Sequence, residues 1–488
     1  MSLDEQRIEL IVEMVLERLR GESPEPPAPV STPERPAADG VRDGVFQDLE
    51  AGLRAAADAQ RRLLALPLQV REKIIQAIRD IGTARAVEYG RLEFEETGLG
   101  KIEDNVQKCL AACRVPGLED LKPEVYAGDL GLTVIERVPA GVIASVNPIT
   151  NAAPTILFNS IMMLAGGNAV VNNPHPRTKG VSAAVTRDLN QAIVQAGGPA
   201  NCVCALAEPS VPSAQRLMTH PRIALIAVTG GHAVVAFAST TGKKVIAGGP
   251  GNPPVVVDET ADLDRAARCI IEGASFSNCM ACASEKEIFV VEAAADQLKA
   301  RLKKYGAFEI DAEQGRELTR HIFKEVKEPG RPGVINPDYI GRSPSHILRA
   351  IGLEVAPEAK IVILETDQDH PLVWTEQIMP VLPLVRCRDA DQAIDWAIAA
   401  EQGNGHTMAI HSNDMRNIKK MAARARCASF VKNGSCGLSS VGVAGEGYIS
   451  FHIATNGEGH TRPRMFTYTR RCVLTDDFRY RFGEEGEG

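Results

Sequence analysis

The sequence predicts an α/β protein built from two doubly wound halves, preceded by a short amphipathic helix on a disordered tether. Two observations carry the α/β reading. From Gly141 onward short apolar strands alternate with helical stretches, and a second run of the same kind begins near Pro254. Fully apolar strands between helices are what a parallel sheet covered on both faces requires. A third observation sets the N-terminus apart: residues 21–40 are rich in Pro, Ala and Glu, unlike anything that follows.

Taken in order, Ile8, Ile11, Val12, Val15, Leu16 and Leu19 fall on one helical face, with Glu9, Glu13, Glu17 and Arg18 largely away from it. Ser2 and Glu5 have capping-box spacing and Gly21 can end the helix. On a tether such a helix has nothing of its own to pack against. It can dock on its own domain or another subunit, or fill a partner's hydrophobic groove. Its acidic polar face disfavours a membrane surface. The body begins near Val45 with a helical region to about Leu118, including Arg71–Ile81 and the stretch around Glu93–Cys113. Leu132–Val138 reads as a strand. Then come strand Val142–Val146, helix Thr155–Leu164, strand Ala169–Val171, helix Lys179–Gln195 and strands Cys202–Leu206 and Ala224–Val228. The last runs into Gly230-Gly231 and another helix, completing a nucleotide-binding type of half. The second half spans about Pro254–Ser440, and Phe466–Val473 is a further strand.

Composition bounds the function. The chain has 488 residues, 44% hydrophobic and 24% charged, enough for two or three domains with separate cores. A net charge of -8 without a basic cluster argues against nucleic acid. No apolar run reaches the roughly 18 residues a membrane span needs, and Asp4, Glu5 and Arg7 interrupt the place of a signal peptide, so a soluble, cytosolic protein is expected. Eleven cysteines scattered over a long chain read as reduced thiols. Cys279 and Cys282 form a lone CxxC, without the second pair or the histidines a zinc site needs.

Two places carry chemistry. Thr229-Gly230-Gly231 sits at a strand-to-helix junction, where glycines admit a ligand to the backbone and a helix N-terminus favours a phosphate; it is equally compatible with a structural turn. Cys282 lies on a loop of small residues, Gly273–Glu287, ahead of the apolar strand Ile288–Val291. That is a fitting place for an exposed nucleophile, although composition alone leaves Cys279 and a buried structural thiol open.

The body from about Val45 to Val473 resembles the aldehyde dehydrogenase superfamily, most closely its CoA-acylating branch. The matching stretches, in order, are Gly141–Pro148, Asn151, Asn159–Val171, Pro174–Pro176, Thr229–Gly231, Gly248–Pro254, Glu376–Val381 and Gly405–Thr407. The resemblance selects Cys282 as nucleophile. It implies that Asn151 and the Cys282 backbone N–H hold the oxyanion, with a plain helix N-cap as the alternative role and Asn147 as the competing residue. It implies that Thr229, Gly230 and Gly231 face the phosphates of NAD (NADP possible), that Glu376 binds the nicotinamide ribose, that His175 stands on the adenine side, and that His406 belongs to the cofactor-binding set. A solvated loop charge at Glu376 and a structural histidine at 175 are the bland alternatives. No metal is implied.

Hydrolytic relatives resemble one another in a Glu-Leu-Gly-Gly-Lys segment whose glutamate activates water. Here Val245–Pro250 holds no carboxylate. Thiols ionise near ~8.5, so a CoA thiol needs little help where water would. The resemblance therefore implies ping-pong conversion of a short aldehyde, propanal first and acetaldehyde second, with NAD+ and CoA to acyl-CoA and NADH. Hydrolysis to a free acid, reduction of an acyl phosphate and a non-catalytic compartment organiser are the alternatives. The tethered helix resembles encapsulation peptides of bacterial microcompartments, implying packaging with shell or cargo proteins. The C-terminal strand resembles the family's oligomerisation arm, implying a dimer or tetramer. The expected division is a helix at 1–20, a tether at 21–44, a nucleotide-binding domain at 45–253 with part of the arm near 123–140, a catalytic cysteine domain at 254–441, and a return segment with the oligomerisation strand at 442–488.

Overall fold

The computed structural model describes residues 43–475 other than 357; the amphipathic stretch 1–20 and nearly all of the tether lie outside the described residues. Six parallel strands form the first sheet, in the order Val45–Phe46, Val203–Leu206, Ala169–Asn173, Val142–Val146, Ile223–Thr229, Lys244–Gly248. The chain winds outward from Val142–Val146 to one edge, then returns to lay Ile223–Thr229 on the other side. That reversal opens a crevice at the carboxyl ends of these two strands, where Val146 pairs with Val228. Every residue of Val142–Val146 is buried, and so is every residue of the following helix, Ala152–Ala165. A helix buried on all sides, its polar Thr155, Asn159 and Ser160 included, lies inside a core rather than on it.

The second sheet has seven parallel strands in the order Ala307–Ile310, Ile361–Thr366, Val381–Cys387, Glu287–Val291, Pro254–Val257, Thr407–His411, Ser429–Lys432. Its central strands Pro254–Val257 and Glu287–Val291 are wholly buried. The carboxyl end of the first sheet's last strand, Gly248, is separated from Pro254 by only five residues, so the loop between them is short and glycine-rich.

Glu124–Gly128, Gly131–Pro139 and Thr467–Leu474 make a separate antiparallel ribbon, with Tyr468 opposite Val138 and Leu474 opposite Leu132. Val125, Tyr126, Tyr468 and Val473 are exposed on it.

The stretch around Glu93–Cys113 is two helices, Ala86–Thr97 and Ile102–Ala112. Gly98 and Gly100 between them sit at φ 67° and 72°, and the Gly98 N–H closes the first helix on the Phe94 carbonyl at 2.7 Å. A left-handed glycine at this position is a common helix stop. The break turns the second helix so that Asp104 and Lys108 reach the cysteine loop. No helix among the described residues is long and apolar enough to cross a membrane.

Candidate active site

Helix Leu263–Ser275 ends in a strained turn. Ser277, Asn278 and Cys279 follow one another at φ 51°, 53° and 59°. For side chains with a Cβ the left-handed region costs roughly 1–2 kcal/mol per residue, so the turn must be held from outside. The Ser277 N–H donates to Asp104 Oδ2 at 2.6 Å, and Asn278 Nδ2 donates to the carbonyls of Gly100 and Gly341 at 3.2 and 2.9 Å. Lys286 Nζ donates to the Cys279 carbonyl at 2.9 Å. Strain held by several elements is a mark of functional sites. The turn separates the two cysteines. Cys279 is fully buried with its Sγ directed at the Glu285 carbonyl, 3.3 Å away, whereas Cys282 is half-buried.

Three groups converge on Cys282. His406 Nε2 stands 3.1 Å from its Sγ, and His406 Nδ1 is 3.0 Å from Thr407 Oγ1. Gly251 presses against it: a Cβ there would lie 2.5 Å from the Cys282 carbonyl oxygen and 2.8 Å from His406 Cγ. The Gly251 N–H donates to Glu376 Oε1 at 3.0 Å. Burial shifts Cys282, His406 and Glu376 towards their neutral forms. The Cys282 thiol is pushed up to about 12, by desolvation and then by the Glu376 carboxylate, with Lys286 opposing. His406 is pulled down to about 3 by burial, and Glu376 is raised to about 7 by the same cause. His406, expected among the cofactor contacts, thus stands against the thiol as a neutral imidazole. Its loop is tied to Glu401, which accepts the His406 N–H at 2.9 Å and the Gly403 N–H at 3.1 Å.

The loop Asn147–Asn151 approaches the same turn. Buried Lys108 joins them, donating to Ser277 Oγ at 2.7 Å and to the Thr150 carbonyl at 3.3 Å. The two asparagines differ in what they have left to offer. Asn147 is buried with both ends of its amide used, Oδ1 by Ser145 and Nδ2 by Asn172. Asn151 is the first residue before helix Ala152–Ala165, but its side chain makes no capping bond. Buried Glu93 takes the Ala153 N–H instead, at 3.0 Å.

Thr229 ends its strand in the crevice. Gly230 donates its N–H to the Gly248 carbonyl at 3.1 Å, which ties this junction to the loop carrying Gly251. Gly231 begins helix His232–Ser239 without a side-chain cap and with nothing within 4 Å of where a Cβ would be. Uncapped N–H groups with open space before them suit a dinucleotide's phosphates. His175 follows strand Ala169–Asn173 and is half-buried; its Nδ1 accepts the Arg177 N–H at 3.1 Å. Lys108, Glu93, Gly251 and Lys286 were not anticipated from the sequence. The run Glu285-Lys286-Glu287 leading into a buried strand was the one available signal.

Comparison with known proteins decides the family. The model of the aldehyde dehydrogenase family matches residues 35–313 and 356–449. The chain belongs to the aldehyde dehydrogenase family. This aldehyde dehydrogenase is 43% identical to the acetaldehyde dehydrogenase (acetylating) EutE of Escherichia coli, over 98% of this chain and 100% of that one. It is 39% identical to the propanal dehydrogenase (CoA-propanoylating) of Salmonella typhimurium, over 93% of this chain and 96% of that one. Among solved structures it resembles the Rhodopseudomonas palustris propionaldehyde dehydrogenase with bound CoA and an acylated cysteine. The TM-score is 0.86 at 40% identity, covering 89% of this chain and 99% of that one. The propionaldehyde dehydrogenase of the Clostridium phytofermentans fucose utilisation bacterial microcompartment gives 0.85 at 38% identity, covering 88% and 98%.

Proposed function

We propose that this aldehyde dehydrogenase is CoA-acylating: it converts a short-chain aldehyde to the acyl-CoA through a thioester on Cys282. The observation that carries the assignment is the contact between the Cys282 thiol and the neutral His406 ring, and the Asn151 side chain, which makes no capping bond at its helix, is left to serve the oxyanion. The lack of a carboxylate in Val245–Pro250 supports CoA over water as acceptor. Where hydrolytic relatives resemble one another in a glutamate, strand Lys244–Gly248 carries the buried aliphatics Ile246 and Ala247.

Cys282 adds to the aldehyde carbonyl while its proton passes to His406 Nε2. Because His406 is a weak base in this buried site, transfer and addition proceed together rather than through a standing ion pair. The new oxyanion takes hydrogen bonds from the Asn151 amide and the Cys282 N–H. A nicotinamide dinucleotide, held by Thr229, Gly230, Gly231 and Glu376 when bound, supplies the hydride acceptor. The thioester on Cys282 then meets the CoA thiol, whose proton goes to His406 after that ring has released the first to solvent. The C–S bond to Cys282 breaks as the acyl group moves to CoA, and His406 returns the proton to the departing Cys282 sulfur. Propanal is the first substrate to test and acetaldehyde the second, a choice supported by the named activities of the relatives.

Residues 2–20 are proposed to bind shell or cargo proteins of a bacterial microcompartment, supported by the helical pattern of that stretch and by the setting of the Clostridium relative. The ribbon bearing Val125, Tyr126, Tyr468 and Val473 is proposed to pair with further copies of the chain, since exposed apolar side chains on a sheet favour burial. Boundaries near residues 253 and 441 are proposed for the two α/β domains.

The test is NADH formation from propanal and NAD+ with and without CoA, in the wild type and in Cys282→Ala. CoA-dependent turnover lost in the variant supports the mechanism. Sustained turnover without CoA makes water the acceptor. Full activity of Cys282→Ala removes the nucleophile assignment.

A further inference from the structure

Several buried charged side chains near the site have no part in the mechanism above, Lys286 among them. Lys286 sits on the entry to strand Glu287–Val291 with none of its surface exposed. Lysine is almost never fully buried unless its charge is paired. Here its three donors meet three acceptors, all from the cysteine turn: the Cys279 carbonyl at 2.9 Å, the Ala281 carbonyl at 3.0 Å and Cys279 Sγ at 3.3 Å. The hydrogen bonds therefore go to the backbone on both sides of Met280 rather than to Glu285 or Glu287, its neighbours in sequence.

Two consequences follow from that placement. The turn at Ser277–Cys279 is left-handed at three successive residues, and Asp104, Gly100 and Gly341 hold only its first two. The third, Cys279, is held through its carbonyl by Lys286. The charge itself is poorly solvated, and taking an ion out of water costs several kcal/mol unless an opposite charge answers it. Negative charge that develops one residue beyond Ala281, on the sulfur of Cys282 or on an oxygen bound at its N–H, is such an answer. The groups facing this region are Glu285, Glu287 and Cys279 from the same segment, Glu376 and His406 from the loops opposite, and Glu401 and Cys436 behind Glu287. Of the causes acting on the Cys282 thiol, desolvation and then Glu376 oppose ionisation, and Lys286 favours it.

We propose that Lys286 is a positioning residue that clamps the cysteine turn in its left-handed form and holds a fixed positive charge behind Cys282, favouring its thiolate. The proposal rests on Cys282 being the nucleophile, but its test does not. Iodoacetamide alkylation of Cys282, followed by mass spectrometry of its peptide, reports the thiolate fraction whatever that cysteine does in catalysis.

Between pH 7 and 9 the rate of alkylation follows the thiolate fraction. Loss of the charge in Lys286→Met or Lys286→Gln is expected to slow it about tenfold at each pH, equivalent to one pKa unit. Lys286→Arg should stay within about threefold of the wild type. Lys286→Gln keeps donors for the two carbonyls, and so remains the folded comparison if Lys286→Met unfolds, which far-UV circular dichroism reports. A merely structural lysine gives the opposite sign, because a loosened turn exposes Cys282 and speeds alkylation. Unchanged or faster alkylation in folded Lys286→Gln therefore overturns the proposal. Activity surviving in Cys282→Ala would remove the functional reading while leaving this comparison intact.

Discussion

Gly251→Ala tests how tightly the nucleophile is placed. The added methyl would sit 2.5 Å from the Cys282 carbonyl oxygen, 2.8 Å from His406 Cγ and 3.0 Å from His406 Cδ2, against the 3.4 Å at which such contacts become ordinary. The largest overlap is thus 3.4 − 2.5 = 0.9 Å, and the atom that meets it is backbone, which cannot swing aside as a side chain would. The displacement must be shared by the cysteine turn, the His406 loop and Gly251 itself. His406 is held at its N–H by Glu401 and Gly251 by Glu376. Overpacking of this kind costs about 1–3 kcal/mol of stability. The larger effect is on rate, because a misplacement near 1 Å at a reacting centre lowers turnover about 10²-fold. The assay is CoA-dependent NADH formation from propanal, with a denaturant midpoint measured alongside. A folded Gly251→Ala enzyme with kcat within threefold of wild type would refute the packing argument, since it would show that the site tolerates the shift.

Asn151→Ala should lower kcat by about 10²–10³-fold with little change in stability, the usual effect of losing one oxyanion donor. Asn147→Ala should do the reverse, costing about 1–3 kcal/mol by leaving the Ser145 O–H and Asn172 Oδ1 without their partner while kcat stays within a few-fold; steady-state kinetics and unfolding midpoints separate the two. Glu285→Gln tests a buried carboxyl raised from 4.5 to about 7 by desolvation. Between those values the folded state holds a proton the unfolded state has lost, so this group's contribution to stability falls as pH rises through that window. The variant should exceed the wild type by up to about 3 kcal/mol at pH 8 and match it at pH 4, as read from urea midpoints. Deleting residues 2–20 should abolish co-packaging with shell proteins and spare activity; unchanged packaging would remove the docking role.

The sheets were legible because their strands are apolar on both faces. Val142–Val146 appears in the structure at the limits its sequence implies, since a run of five buried residues before a polar loop belongs in a sheet covered on both faces. The split of the helical stretch at Gly98-Leu99-Gly100 was present in the sequence too, but two glycines among good helix formers signal a stop only weakly. The site was legible in parts. A cysteine on a small-residue loop marks a nucleophile, yet nothing local separates Cys279 from Cys282. That separation depends on which sulfur the left-handed turn directs inward. The partner of Cys282 is 124 positions away, and no periodicity relates the two. Gly251 could be recognised as loop glycine but not as the residue on which the Cys282 carbonyl, the His406 imidazole and the Glu376 carboxylate converge.

The same burial that made those contacts unreadable sets how the chemistry must run. Desolvation is the leading cause for Cys282, His406 and Glu376 alike, and it drives all three towards their uncharged forms. A dry site strengthens each hydrogen bond to an oxyanion, because little solvent competes for it. It also prevents the thiol from ionising unaided. A surface cysteine could wait as thiolate, but Cys282 needs a proton acceptor already in contact, and His406 Nε2 at 3.1 Å is placed to be one. Strain in the turn, glycine at 251 and the tether of His406 to Glu401 then serve one requirement: the acceptor must be in place before the charge exists.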